Sequence, residues 1–136
     1  GSTGQDQSSS QKNTEQLFTN ALETIEPLLS HTQLLTTLAG SLYENRCVVR
    51  CTLQSDWEGV VQDADACFTL LASSLSETRT IELHKLRATA LMELNRPLDA
   101  KAALGKAKLL APHDDSLNTM IQSLDISEPN NNNNTE

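Results

Sequence analysis

The sequence predicts an all-α fold, with about six helices stacked as antiparallel helix-turn-helix repeats and a helix capping the C-terminal end. Apolar residues recur at intervals of three and four through most of the chain, which is the spacing of one helix face. No useful stretch shows the alternation of a strand. One Trp, one Tyr and two Phe leave Leu, Val, Ala and Cys to build the core, which suits close-packed helices better than a sheet.

The first two helices are predicted over Thr14 to Leu29 and Thr32 to Leu53, where leucines dominate the apolar face. Pro27 lacks a backbone donor, so we expect it to loosen the last turn of the first helix. Gly40 lies inside the second helix and costs about 1 kcal/mol relative to alanine there. We therefore expect a neighbouring side chain to need the space.

The third helix is predicted to begin after a cap at Ser55 or Asp56 and to carry apolar residues from Trp57 to Leu71. A polar stretch, 73–80, is predicted to be the loop that follows. Trp57 is expected to be substantially buried at the turn between the second and third helices.

The last three helices are predicted over 80–94, over 97–110 and after Asp114-Asp115-Ser116, which can cap a short final helix. Asn95-Arg96 is the turn between the first two of these, and Pro97 is acceptable at a first helical position. The final helix carries Leu117, Met120, Ile121 and Leu124.

Two segments of the chain share one pattern of small and large residues, 40 positions apart. The matched pairs are Trp57 with Pro97, Val60 with Ala100, Ala64 with Leu104, and Cys67 with Ala107. The second copy runs from Leu86 through Ala88 to Pro112 and resembles a tetratricopeptide repeat, a helix-turn-helix unit of about 34 residues. The resemblance implies tight helix contacts at Ala88, Ala100 and Ala107, and a function in binding rather than in chemistry.

The first copy is divergent. Its Leu42-Tyr43-Glu44-Asn45-Arg46-Cys47 resembles the Tyr-x-Asn-Arg-Ala opening of chaperone-adaptor repeats, but it lies one residue farther from the aromatic at the turn. Ala72 also stands where the closing proline belongs.

Composition divides the chain into three parts: a disordered segment 1–13, a helical domain 14–125 and a disordered asparagine-rich tail 126–136. The opening Gly-Ser is typical of a cloning remnant. A net charge of −8 argues against general affinity for nucleic acid or anionic membrane. The sequence shows neither a secretory leader nor an apolar run of ~20 residues, which predicts a cytoplasmic or nuclear protein. Its odd number of cysteines predicts reduced thiols rather than disulfides.

Neither a metal, a cofactor nor catalysis is predicted. Cys47, Cys51 and Cys67 could join one histidine as zinc ligands, but the paired spacings of metal sites are missing and all three fall on core faces. His31, His84 and His113 are expected near helix ends or on exposed faces, with no nucleophile placed beside them by a local motif.

The predicted partner-binding residues are a polar and apolar mixture on the first helices of the two copies. They are Asn45, Arg46, Val49, Arg50, Thr52, Lys85, Thr89, Met92 and Glu93. The resemblance implies that first helices line a concave groove for a peptide or a partner helix. The alternative interpretation is an ordinary solvated face.

Three binding hypotheses remain open. In the first, the domain docks a folded partner, or another copy of itself, through the groove or an exposed apolar stripe. In the second, the family's carboxylate clamp holds the acidic C-terminal tail of Hsp70 or Hsp90. The two basic residues of the clamp's last repeat would fall on Glu82 and Leu86 here, and its asparagine would fall on Arg46. Asn45 and Lys85 each lie one residue away from the position that the clamp requires. In the third, the domain belongs to a longer catalytic chain and only positions it.

Overall fold

Six α-helices and one 3₁₀ turn make up the part of the chain that the computed structural model describes, residues 3–28 and 33–127. They are α1 (Thr3–Ile25), the 3₁₀ turn (Glu26–Leu28), α2 (Gln33–Leu53), α3 (Trp57–Leu70), α4 (Glu77–Glu93), α5 (Pro97–Leu110) and α6 (Asp115–Ser127). Each α-helix packs against the next one. The described residues contain no strand, and the all-α prediction is confirmed.

Short turns set the direction of the helices. From α2 onward, three to six residues connect each helix to the next, so consecutive helices that pack along one another run antiparallel. Helix α4 begins at Glu77, earlier than the predicted Thr80, because Ser76 caps it: the Ser76 hydroxyl accepts from the Arg79 N–H at 3.2 Å. The predicted loop 73–80 is correspondingly shorter.

Helix α1 differs most from its prediction. It begins at Thr3 rather than Thr14, so a helix covers most of the segment that was predicted to be disordered. Residues 9, 10, 12 and 13 are exposed, which agrees with their polar character. Apart from Gly4, no residue from Thr3 to Asn13 carries a helix penalty near that of glycine or proline. At the other end, the α-helix stops at Ile25 rather than at the predicted Leu29, and Pro27 lies in the 3₁₀ turn that follows.

The structure describes only the first two residues of the predicted tail, 126–136. Ile126 and Ser127 belong to α6, and residues 128–136 lie outside the described part of the chain. The domain limits 14–125 stay a prediction.

The core is one cluster of leucines and small residues between α2 and α6. Its buried members are Cys47, Val60, Val61, Ala64, Cys67, Leu71, Leu83, Ala88, Ala90, Leu91, Ala100, Ala103, Leu104, Ala107, Leu117 and Leu124. Ala88, Ala100 and Ala107 are completely buried, as predicted. Trp57 is partly buried and packs against this cluster. Gly40 faces Leu71, whose Cδ2 would lie 2.6 Å from an added Cβ, so the expected need for space is confirmed.

Helices α2 and α4 end in the same way. Gln54 and Asn95 both adopt the left-handed conformation, with φ of 54° and 62°. Ser55 N–H donates to the Arg50 carbonyl at 3.2 Å, and Arg96 N–H donates to the Leu91 carbonyl at 2.8 Å. This is the Schellman arrangement, which satisfies carbonyls at a helix C-terminus.

The next helix does not begin at the same distance from these two turns. Helix α3 begins at Trp57, three residues after Gln54, whereas α5 begins at Pro97, two residues after Asn95. The extra residue is Asp56, also left-handed at φ 44°, whose carboxylate accepts from Gly59 N–H at 2.9 Å. A residue of α2 is therefore equivalent to the residue of α4 that lies 41 positions later. A residue of α3 is equivalent to the residue of α5 that lies 40 positions later. The additional turn residue accounts for the one-residue displacement seen in the sequence.

Candidate partner-binding groove

A groove with a volume of about 210 Å³ lies between α4 and α6, lined by Thr89, Met92, Glu93, Met120 and Ser123. The α4 residues follow the i, i+3, i+4 spacing of one helix face, and the α6 residues are three apart. Both methionines are partly buried and pack against the core cluster. Their unbranched thioether side chains adapt readily to irregular apolar surfaces.

Helix α2 presents matching positions. With the 41-residue offset, Val48 corresponds to Thr89 and Thr52 to Glu93. Val48 is 44% exposed, and Thr52 is exposed with its hydroxyl donating to the Val48 carbonyl at 2.9 Å. The Thr89 hydroxyl likewise donates to the Lys85 carbonyl at 2.9 Å. Both hydroxyls are thus satisfied within their own helices.

Arg46 and Arg50 lie on another face of α2, where they form a partly buried ion network. Arg46 makes two bonds to the Asp63 carboxylate, Nη2 to Oδ1 at 2.8 Å and Nε to Oδ2 at 3.0 Å. Arg50 Nη1 donates to Asp63 Oδ2 at 3.2 Å. The Asp63 side chain is only 2% exposed, so two guanidinium groups compensate one buried carboxylate. The hydrogen bonds to Asp63 raise the pKa of Arg46 further.

The same two arginines connect α2 to α1. Arg50 Nε donates to Glu15 Oε2 at 2.7 Å, and Arg46 Nη1 donates to Thr19 Oγ1 at 3.1 Å. Arg46 also lies over the Tyr43 ring, with Cζ 5.5 Å from the ring centre. These donors are committed inside the molecule rather than presented to a ligand.

Lys85 connects α4 to the beginning of α6. Its Nζ donates to Asp114 Oδ2 at 3.1 Å and to the Ser116 hydroxyl at 3.2 Å. Asp114 also accepts from the Leu117 N–H at 2.9 Å, which caps α6. That backbone bond and the ammonium group lower the pKa of Asp114.

The structure thus sorts the nine predicted site residues into three groups. Thr89, Met92 and Glu93 line the groove. Exposed Asn45 and Thr52, with half-buried Val49, share one face of α2. The three basic residues, Arg46, Arg50 and Lys85, pair with carboxylates of the chain itself. Sequence reasoning included the methionine of α4 but not Met120 or Ser123, because it assigned α6 only a capping role.

A second cavity, which the sequence did not reveal, lies between α3, α4 and α5 and has a volume of about 490 Å³. Its residues are Asp65, Phe68, Thr69, His84, Arg87, Ala102, Ala103 and Lys106. His84 was expected at a helix end or on an exposed face. It is instead half-buried in the interior of α4 and stacks on Phe68, with the ring centres 4.5 Å apart. Helical periodicity did not predict this contact because it depends on how α3 packs against α4.

The cysteines are free thiols in or beside the core. Cys47 and Cys67 are fully buried, while Cys51 is partly exposed. Burial raises the pKa of Cys67 to about 11, and also raises the pKa values of Cys47 and Cys51. Within the described ranges, no three His, Cys, Asp or Glu residues lie close enough together to hold a metal ion.

No family model, curated protein or solved structure matches this chain. The tetratricopeptide resemblance therefore stays a prediction from the sequence. Among the helices that the structure describes, none is long and apolar enough to cross a membrane.

Proposed function

We propose that this domain is a non-catalytic protein-interaction module of tetratricopeptide-repeat type, which binds a segment of a partner protein along α2, α4 and α6. The observation that carries the proposal is the groove in which Met92 and Met120, from two different helices, remain partly exposed beside Thr89, Glu93 and Ser123. An apolar floor with a polar edge suits an amphipathic peptide whose side chains enter at helical spacing.

The carboxylate clamp fits this groove less well. A clamp needs cationic donors free to converge on a terminal carboxylate, whereas Arg46 and Arg50 contact Asp63 and Lys85 contacts Asp114. Binding an Hsp70 or Hsp90 tail through them would first require breaking partly buried ion pairs. Exposed Glu93 would also repel an acidic peptide.

The groove is tested by selecting random linear peptides on the wild-type domain and measuring their binding to two variants. Ser123→Trp should fill the groove and abolish binding. Gln122→Trp places the same side chain on the neighbouring exposed position of α6, which does not line the groove, and should leave binding intact. Peptides that bind both variants equally, or a selection that enriches none, would overturn the proposal.

A second contact surface is favoured by exposed leucines near the N-terminal end. Leu34 and Leu38 lie one turn apart on α2 and are 76% and 45% exposed. We propose that this face docks a folded partner or a second copy of the chain. Sedimentation across a range of protein concentrations tests the second case: self-association that Leu34→Ser with Leu38→Ser abolishes supports it, and a monomer at all concentrations rejects it.

We also propose a reducing, cytoplasmic or nuclear setting for the domain. Three free cysteines, two of them within the core, support this. A mass measurement of protein from its native cells that finds a disulfide between any two of these thiols would contradict it.

A further inference from the structure

The cavity between α3, α4 and α5 combines cationic groups with stacked rings. Two of its lining residues are basic, Arg87 and Lys106, and one is acidic, Asp65. Phe68 and His84 form a stacked pair with an interplanar angle of 28°. We propose that this cavity binds a small organic anion that carries a planar ring.

The charge of the cavity is opposite to that of the whole molecule. The chain has a net charge of −8, and most of its basic side chains are neutralised by ion pairs. Arg87 Nε contacts Asp65 Oδ1 at 2.8 Å. None of the ion pairs among the described residues includes Lys106. An anion that enters the cavity would therefore contact the ammonium group of Lys106, which no carboxylate among the described residues neutralises, and the guanidinium of Arg87, which has N–H donors besides Nε.

The rings supply the second half of the recognition. Burial, followed by the charges of Lys106 and Arg87, lowers the pKa of His84 and so favours the neutral imidazole. Its Nδ1 is buried and has no hydrogen-bond partner in the described structure. A ligand that reached this nitrogen would satisfy a polar atom that is otherwise left without a partner. The Phe68 and His84 rings add a surface on which a planar group can stack.

The cavity is also large enough for such a ligand. Ala102 and Ala103 line it with methyl groups only, which leaves the space open. A volume of 490 Å³ falls in the range of roughly 300–1,000 Å³ that small-molecule sites occupy. The proposal does not depend on the groove of α4 and α6, since no residue lines both.

The binding test uses three ring compounds: phenylacetate, phenyl phosphate and the neutral phenylacetamide. Each is titrated into the labelled protein while amide and imidazole resonances are followed. We expect shifts at Phe68, His84, Arg87 and Lys106 with one or both anions and much weaker shifts with the amide. The two anions distinguish a carboxylate from a phosphate ligand. Equal shifts with the amide, or none at millimolar concentration of any probe, would overturn the proposal.

Two variants distinguish cavity binding from general charge attraction. Lys106→Gln should weaken binding of the anion about fivefold, whereas Lys108→Gln, which removes a nearby charge of α5 outside the cavity, should have little effect. Equal losses in both variants would contradict a specific site.

A third variant should strengthen binding. Asp65→Asn removes the carboxylate that competes for Arg87, and we expect the affinity for the anion to rise about two- to fivefold. Bound anion should also raise the pKa of His84 in an imidazole titration, because it offsets the neighbouring cations. Unchanged affinity in Asp65→Asn together with an unchanged His84 pKa would place the anion elsewhere on the protein.

Discussion

Small side chains determine how closely the helices of this molecule approach one another. Ala88, Ala100 and Ala107 have no exposed surface, and all three belong to the core cluster. At Gly40 even a methyl group would overlap Leu71. Close-packed interiors have few voids to accept additional atoms, so these positions tolerate little change in volume.

Ala100→Leu is predicted to destabilise the domain by about 1–3 kcal/mol, because the added atoms overpack the contact between α4 and α5. Urea unfolding followed by circular dichroism measures the effect. The matched control is Ala102→Leu, which lies two residues after Ala100 on the exposed side of α5. This variant should change the free energy of unfolding little. An unchanged midpoint for Ala100→Leu would contradict its placement in the core.

His84 should make stability depend on pH. Its ordinary pKa is 6.5, and burial with nearby Lys106 and Arg87 lowers it in the folded protein. The unfolded chain then binds the proton more tightly than the folded one. The contribution of His84 to stability is therefore fully present above the unfolded pKa and decreases as the pH falls from 6.5 toward the folded value.

His84→Gln should reduce this pH dependence. We expect the fall in melting temperature between about pH 7.5 and about pH 5.5 to be smaller in this variant than in the wild type. His113→Gln changes an exposed histidine and serves as the control. If both variants lose the same stability on acidification as the wild type, the proposed role of His84 is wrong.

At the scale of elements, a polar network fixes α1 on the rest of the molecule. Arg50 joins Glu15 of α1 to Asp63 of α3, and Arg46 joins Thr19 to the same carboxylate. Few α1 side chains are deeply buried; Leu22 is the one fully buried residue among those described. The ion network therefore adds polar links between α1, α2 and α3 to the apolar contact that buries Leu22.

Asp63→Ala and Glu15→Gln should act differently on this network. Asp63→Ala leaves two partly buried guanidinium groups without their shared carboxylate and should destabilise the whole domain by about 3–5 kcal/mol. Glu15→Gln removes only the partly exposed link to α1 and should cost about 1 kcal/mol or less.

Hydrogen exchange distinguishes these two effects. In Glu15→Gln, faster exchange should be confined to α1, whereas in Asp63→Ala it should extend through α2 and α3. Exchange in α1 that Glu15→Gln leaves unaltered would show that the helix is held by other contacts.

At the scale of the whole molecule, α6 closes the helical stack. Leu117 and Leu124 of α6 are buried in the common core, while Met120 and Ser123 complete the groove. One short helix thus covers the last apolar face and forms one wall of the candidate site. Terminal helices of stacked arrays commonly have this covering role.

Removing α6 is predicted to affect both stability and solution state. A chain ending at Ala111 exposes the apolar surfaces that Leu117 and Leu124 cover, so we expect a lower unfolding midpoint and concentration-dependent association. Denaturant unfolding and light scattering measure these. The single change Leu117→Ala should cost about 2–5 kcal/mol without removing the helix. A truncated chain that stays monomeric and equally stable would refute the covering role.

The predictable part of this structure was local. Spacings of three and four placed α2 to α6 nearly correctly, and the Asp114-Asp115-Ser116 run predicted the start of α6, because caps and helical periodicity are properties of neighbouring residues. The start of α1 was predicted too late because the segment before Thr14 has few apolar residues to bury, and we took that as a sign of disorder. Arg46, Arg50 and Lys85 were predicted to line the groove from their charges alone. Local sequence does not show that Asp63, Glu15 and Asp114, which lie 13 to 35 positions away, pair with them.

The helical class, the approximate limits of five helices and the small residues at their contacts follow from the sequence alone. The structure was needed to show which polar side chains are left for a ligand, that Met92 and Met120 line one groove, and that His84 stacks on Phe68 in a cavity that Lys106 also lines. Helical periodicity specifies which face of a helix is apolar, but the pairing of side chains across helices depends on register. In this chain that register is changed by a single additional residue, Asp56, in the turn between α2 and α3.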